Sequence, residues 1–446
     1  MNADLHPPGS ARLSIVIPVT IASFYYAASL DYTLPLFFGA LHDASPGQAY
    51  PYDMWSQLIK FQVTPWLFAP LLAGILARRF GERRVWSMAL FGSAIVPAVL
   101  VATAAPWVVK VLAFWQGLAG AMMWIAGLSL VQMVAPSRKG LSNGLMMASI
   151  GVGSIVGPLS GRAMLYHREF GQLVGSGDYG VLFSRLFRFT PTHTTPALAD
   201  FYAIFWLITI TTALSGVLVG AVGQLPGEFA GQAKATWIQI KRDVRSLAGN
   251  PRFWALVLIL CGIGGPIFQS SNQFLPYRAD DLGLKSGGVD QGWLWLQLLK
   301  TFMWLPGGLA VGWIAGKRAA GVAAAAILGV FSLAGLAIGW SHTAVALFAS
   351  VAAFEFVRQF MRWLHGGYLS EHMPEHLRAT AIGFSITISG LSSTVYAWMA
   401  MLFWNPGSPG FNSARPFLAV GIAGLVGVAA LLVFDRFYPI RQKDRL

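Results

Sequence analysis

Ser29–Pro35 reads S-L-D-Y-T-L-P, and 241 residues later Ser270–Pro276 reads S-S-N-Q-F-L-P. Each stretch lies towards the end of an apolar run, and three further matches follow in the same order. Gln57–Lys60 (QLIK) returns as Gln297–Lys300 (QLLK) at an offset of 240, and GILARR from Gly74 is echoed by GWIAGK from Gly312 at an offset of 238. Pro136 and Pro374 each open a loop, again 238 apart. One match between apolar segments is within chance; four in order, at nearly constant spacing, describe a duplicated unit.

The unit is read from hydropathy. The chain has 446 residues, 55% hydrophobic and 11% charged, with a mean hydropathy of +0.59. Soluble chains carry about 25% charged residues, so a water-soluble enzyme is excluded. Apolar runs of ~20 residues, enough to cross a ~30 Å hydrocarbon core as a helix, recur along nearly the whole length. They fall at 13–37, 55–77, 85–105, 107–135, 141–163, 201–224, 253–276, 292–315, 320–340, 343–367, 379–404 and 416–435. The expected fold is all-α and polytopic, with twelve transmembrane helices in two six-helix pseudo-symmetric bundles. The division is 1–224 for the first bundle, 225–252 for a cytoplasmic linker and 253–446 for the second. A parallel repeat of this kind implies a substrate path between the bundles. TWIQIKRDVRSL, within the linker, has the pattern of a basic amphipathic helix, either on the inner membrane surface or as a solvated connector. The loop at 164–200 breaks the repeat, and its GVLFSRLFRF reads either as an interfacial helix over the entrance or as a simple insertion.

The formal net charge of +13 is about topology and anionic lipid rather than nucleic acid. Of 31 Lys and Arg, 19 lie in the terminal tails and alternate loops, the positive-inside pattern that orients both termini to the cytoplasm. The short tails suit a bacterial inner membrane, and a monomer is expected. The start, MNADLHPPGSARL, lacks a basic n-region with a cleavage site, so the first run is expected to be retained. Cys261 is the lone cysteine and the eight histidines do not group with acids, so neither a metal site nor a cofactor is expected. No nucleotide-binding loop occurs, which disfavours an ATP-driven pump.

Three local patterns resemble the major facilitator superfamily, and the resemblance covers essentially the whole chain. Gly74-Ile-Leu-Ala-Arg78-Arg79-Phe-Gly81-Glu-Arg83-Arg84 follows the family's G-x-L-a-D-r-x-G-r-r loop, with Arg78 in place of the Asp. The glycines permit a tight turn and close helix approach. The resemblance implies a gating role for Gly74, Arg78, Gly81 and Arg83, although the acidic latch is missing. In the fifth run, Gly144, Gly153, Gly157-Pro158 and Gly161 look like the motif of proton-antiporting exporters, departing from it at Arg162. Gly153, Gly157 and Gly161 share a helix face on which another helix can pack closely, and Pro158 permits a bend. In the fourth run, Gln116-Gly117 and Gly120-Ala121 match a family motif whose Arg position is occupied by Ala113; Lys110, a turn earlier, is expected to snorkel outward.

Ionisable groups inside spans are expensive and are candidates for function. The acids are Asp31 and Glu355; the cations are Lys60, Lys300, Arg358 and Arg362. Asp31 and Lys60 lie at similar depth, ~9 Å in, on neighbouring antiparallel helices, which predicts an ion pair that either couples to protons or locks the fold. The repeat puts Asn272 at the position of Asp31, so Lys300 stands opposite an amide. Glu355, Arg358, Arg362 and His365 share one helix face, with Glu355 a second proton candidate and Arg358 a substrate or gating residue. Gln269, Ser270, Ser271, Asn272 and Gln273 form a polar band, while Gln116, Trp115, Tyr25 and Tyr26 supply further substrate candidates beside Lys300.

The reading favoured by these residues is a proton-coupled secondary transporter exporting a small organic molecule. The alternatives are an uptake symporter for an organic anion and, more distantly, a membrane enzyme or assembly factor.

Overall fold

The computed structural model describes residues 10–44, 54–103, 105–134, 139–166, 198–221, 237–284, 291–314, 321–363, 378–406, 408 and 410–437. Among these the regular elements are all helical. The first half contains α1 (Ser10–Ala44), α2 (Met54–Val63), a 3-10 turn (Thr64–Leu67), α3 (Ala69–Phe80) and α4 (Glu82–Ala102). It continues with α5 (Pro106–Val134), α6 (Lys139–Tyr166) and α7 (Leu198–Ala221). A connecting helix, α8 (Trp237–Ala248), leads into α9 (Pro251–Asp281), α10 (Gln291–Phe302), α11 (Trp304–Ile314) and α12 (Gly321–Trp340). The chain closes with α13 (Ala344–Trp363), α14 (Arg378–Phe403) and α15 (Ala414–Phe437).

Hydrocarbon offers no partners to backbone N–H and C=O groups, and an unbroken apolar run of ~20 residues satisfies them within itself as a helix. Each expected span falls on a helix or a broken pair. Among the described residues seven helices are long and apolar enough to cross a membrane, or eight if α2 and α3 count as one bent span. The expected amphipathic segment forms α8, with Ile238 exposed and Leu247 buried on opposite sides. Residues 167–197, most of the expected outer loop, lie outside the described residues.

Two expected spans are not continuous. The second is bent by 43° between α2 and α3, because Pro65 and Pro70 lack the N–H groups that a continuous helix would use there. The chain takes a 3-10 turn and restarts. The eighth breaks at Met303, with Pro306 in the first turn of α11. Lys60 and Lys300 therefore each occupy the last turn of a half-helix, where the carbonyl end of the dipole favours a cation.

The glycine stripe of α6 packs on α1. A Cβ at Gly153 would overlap the Ile21 carbonyl oxygen; at Gly157 it would lie 2.8 Å from the Ser29 nitrogen, and at Gly161 2.9 Å from Tyr32 Cδ1. The equivalent seam in the second half joins α9 to α14, where a Cβ at Gly265 would stand 2.8 Å from the Ser389 carbonyl oxygen. Gly81 makes the α3–α4 turn with φ 89° and ψ 143°, a conformation that suits glycine. Gly74 is different: it lies within α3, and a Cβ there meets nothing within 4 Å. The close approach expected of it is absent in this conformation.

The halves meet along α2–α3 against α14 and along α6 against α10–α11. Thr394 Oγ1 donates to the Val63 carbonyl at 2.9 Å, at the bend of the second span. At the end of the molecule far from the termini, Ser56 Oγ donates to Tyr277 Oη at 3.0 Å, both residues being buried.

Candidate substrate cavity

Between the halves lies a cavity of about 370 Å³, within the range of small-molecule sites. It is walled by α1, α2 and its bend, α5 and α6 on one side and by α9, α10, α11, α12, α13 and α14 on the other. Asp31 lines it and is exposed to it. Facing it from the second half are Lys300 and Arg358, the cations whose charges act on Asp31. Among the described residues, Asp31 makes no ion pair within 4.0 Å with either.

The expected Asp31–Lys60 contact is replaced by another arrangement. Lys60 points its ammonium at the Trp398 ring of α14, 4.9 Å from the centroid. That contact places Lys60 at the seam with the second half. Lys300 does what the repeat suggests for its position and meets Asn272, Nζ to Oδ1 3.5 Å. Lys110 lies 6.0 Å from the Phe61 ring centroid.

Glu355 is fully buried and lies outside the cavity wall, where it anchors Arg358. Arg358 Nη1 donates to both carboxylate oxygens, at 3.0 and 2.8 Å. The Trp304 indole N–H donates to Glu355 Oε2 at 2.8 Å. The Arg358 guanidinium lies 3.6 Å from the Phe268 ring centroid and 5.3 Å from that of Trp304, a geometry in which ring quadrupoles favour the cation. Glu355 and Arg358, which share a face three residues apart, thus form an intrahelical pair held in an aromatic clamp. The Arg362 side chain and His365 lie outside the described residues.

Of the other candidates, Gln116, Tyr26, Gln269 and Asn272 line the cavity, as does Pro158. Tyr25 faces α6, accepting a hydrogen bond from Ser160 Oγ at 3.3 Å. Gln273 turns to α14, its Nε2 donating to the Ala397 carbonyl at 3.3 Å. Trp115 donates its indole N–H to Gly92 O at 2.8 Å and is 40% exposed on the outside of the bundle. Arg78 lies in the last turn of α3, its side chain outside the described residues, and Arg83 is half-buried in the first turn of α4. Gly81, Gly153, Gly157 and Gly161 hold the turn and seam described above. Reading the residues had not marked Trp55, Trp66, Trp124, Trp293 and Trp304, which line the cavity.

Broken helices around a central charged cavity at the seam of a duplicated bundle define a membrane transporter class. The family model for the Major Facilitator Superfamily matches residues 16–397, and the chain belongs to that family. A tetracycline resistance protein, class C, from Escherichia coli is 28% identical over 135 residues, spanning 30% of this chain and 34% of the relative. The chain therefore matches about a third of that protein's length. Among solved structures, the nucleoside transporter NupG superposes with a TM-score of 0.63 at 12% identity, covering 94% of this chain and 98% of its own. FucP, a transporter of the same superfamily in the outward conformation, gives 0.64 at 14% identity, covering 97% and 99%. At such identities the likeness is one of fold.

Proposed function

We propose that this chain is a proton-coupled secondary transporter that exports a small organic molecule by alternating access. The observation that carries the reading is Asp31, a carboxylate exposed in the central cavity, facing Lys300 and Arg358 of the other half without contact. Such a group gains and loses a proton as water access and the distance to the facing cations change. Lys300, Arg358 and Tyr26 are the groups that act on it or stand beside it. Glu355 takes a supporting role, keeping Arg358 charged and aimed.

Resistance, in the name of the tetracycline-resistance relative, supports outward movement, as does the Gly-Pro pattern of α6. Residues 1–224 and 253–446 rock against each other as two bundles, with 225–252 as the cytoplasmic linker. Gly74, Arg78, Gly81 and Arg83 at one end, and the α1–α6 seam, shape that motion. The protein resides in a bacterial inner membrane with both termini cytoplasmic and works as a monomer. A second reading, uptake of an organic anion with protons, draws on Lys300 and Arg358 in the cavity wall.

The test uses purified protein in liposomes with an internal pH dye, a panel of organic cations, zwitterions and anions, and the Asp31→Asn variant. Substrate-evoked proton movement in the wild type and its loss in the variant are expected. Movement that survives in the variant overturns the role of Asp31, and counterflow protons moving with rather than against substrate favour the second reading.

A further inference from the structure

The cavity wall carries three charges, and they are not equally satisfied. Arg358 is matched by Glu355 on both carboxylate oxygens and clamped between rings. Asp31 on α1 and Lys300 on α10 are left facing each other across the seam, within electrostatic reach yet without an ion pair inside 4.0 Å. Lys300 donates only to the neutral Asn272 Oδ1 among the described residues. Neither charge is paired with the other, and a ligand that bridges them would satisfy both.

The donors beside each charge sharpen the requirement. On α9, next to Asn272, Gln269 Nε2 and Ser271 Oγ are buried in the cavity wall and have no hydrogen-bond partner. With Lys300 they make a donor-rich end that suits a carboxylate. Across the cavity Asp31 is an acceptor exposed to it, a setting for an ammonium. The same cavity is lined by the indoles of Trp55, Trp66, Trp124 and Trp293, flat apolar walls for a ring beside the charged groups. A cation alone would satisfy Asp31 and leave Lys300 unmatched; an anion alone would do the reverse.

We infer that the cavity binds an aromatic zwitterion, with its ammonium on Asp31, its carboxylate on Lys300, Gln269 and Ser271, and its ring between the indoles. The inference rests on the transporter reading above and names its substrate class. It also supplies the exchange: a proton on Asp31 removes the partner of the ammonium, so proton and ligand exclude each other at that carboxylate, as antiport requires.

Four probes sharing one ring test it by calorimetry on the purified full chain at neutral pH: tryptophan, tryptamine, indole-3-propionate and indole. Tryptophan is expected to bind at least about tenfold more tightly than either singly charged probe. Asp31→Asn should bring tryptophan down to the level of indole-3-propionate, Lys300→Gln should bring it down to tryptamine, and Asp31→Glu should keep the preference and so exclude a folding defect. Equal or tighter binding of a singly charged probe, or binding of none of the four, overturns the inference. Parallel proton measurements in liposomes separate the two readings. Tryptophan binding without proton movement upholds the zwitterion site and removes coupling, whereas proton movement evoked by tryptamine alone upholds coupling and removes the zwitterion.

Discussion

Lys60 and Lys300 stand at matching points of the repeat, each in the last turn before a proline-driven break. Lys300 reaches its own half's Asn272 at 3.5 Å, while Lys60 lies 4.9 Å from the Trp398 ring in the other half. The halves share a skeleton and divide the charges between them. The first half offers the cavity its acid and sends its lysine to the seam; the second offers its lysine and replaces the acid by an amide. A duplicated scaffold thus becomes polar across its middle, one wall negative and the other positive, which neither half would be by itself. The same divergence marks the fourth and tenth spans, where Gln116 of α5 occupies the place, 239 residues earlier, of Glu355 of α13.

The largest effect expected from breaking this comparison is at Glu355. Glu355→Gln leaves Arg358 buried without its carboxylate, and removing one partner of such a pair costs about 3–5 kcal/mol. A fall in the thermal unfolding midpoint of the purified protein measures it. Gln116→Glu, which copies the second half's acid into the first, should not restore stability to Glu355→Gln. Gln116 lies on another helix and makes no hydrogen bond to Arg358 among the described residues, whereas Glu355 holds it on both oxygens. Next come the two seams. Gly153→Ala on α6 forces a methyl against the α1 backbone, and Gly265→Ala on α9 does the same against α14, so each should lose about 1–3 kcal/mol. Equal losses would make the seams equivalent; a much smaller loss at one would show that its helices can slide.

Smaller still is the contrast between the lysines. Lys300→Met should abolish the zwitterion preference, while Lys60→Met should leave ligand affinity within about twofold, its Trp398 ring contact being worth about 0.5–2 kcal/mol to the seam. Tighter dependence on Lys60 than on Lys300 in the same calorimetric titration would reverse the assignment of the two walls. The smallest effect is expected at Gly74→Ala, where the methyl enters open space and the helix gains up to ~1 kcal/mol of propensity. If this variant nonetheless slows transport without changing stability, the space beside Gly74 is filled in another conformation of the cycle.

Much of the fold was legible because its signals are long. Apolar runs of ~20 residues and a repeat carried by four spaced matches survive any error in one position. The breaks were legible too, in the T-P-W-L-F-A-P of 64–70 and the W-L-P-G-G of 304–308, yet hydropathy runs straight through them. The site was harder, since depth can be counted along a helix but rotation cannot. Asp31 lines the cavity and Lys60 meets the Trp398 ring; Tyr25 and Tyr26 are adjacent in the chain, and of the two Tyr26 lines the cavity. Gln273 sits within the polar band of α9 and turns away from it. The cavity tryptophans were hidden among 17 in the chain, because an indole facing lipid and one facing a ligand look alike in sequence.

The α1–α6 seam has a mechanical consequence. Backbones this close, with glycine Cα hydrogens in place of side chains, cannot slip past one another without collision, so the two helices form one stiff strut. Asp31 is mounted on that strut, and a rotamer change alone would carry it only a short way. Any larger travel has to be that of the strut, pivoting together with Pro158 in its cavity wall. A label on the outward face of α6, such as at the exposed Val152, would therefore report the carboxylate's position through the cycle, as a pointer reports a needle's hidden end.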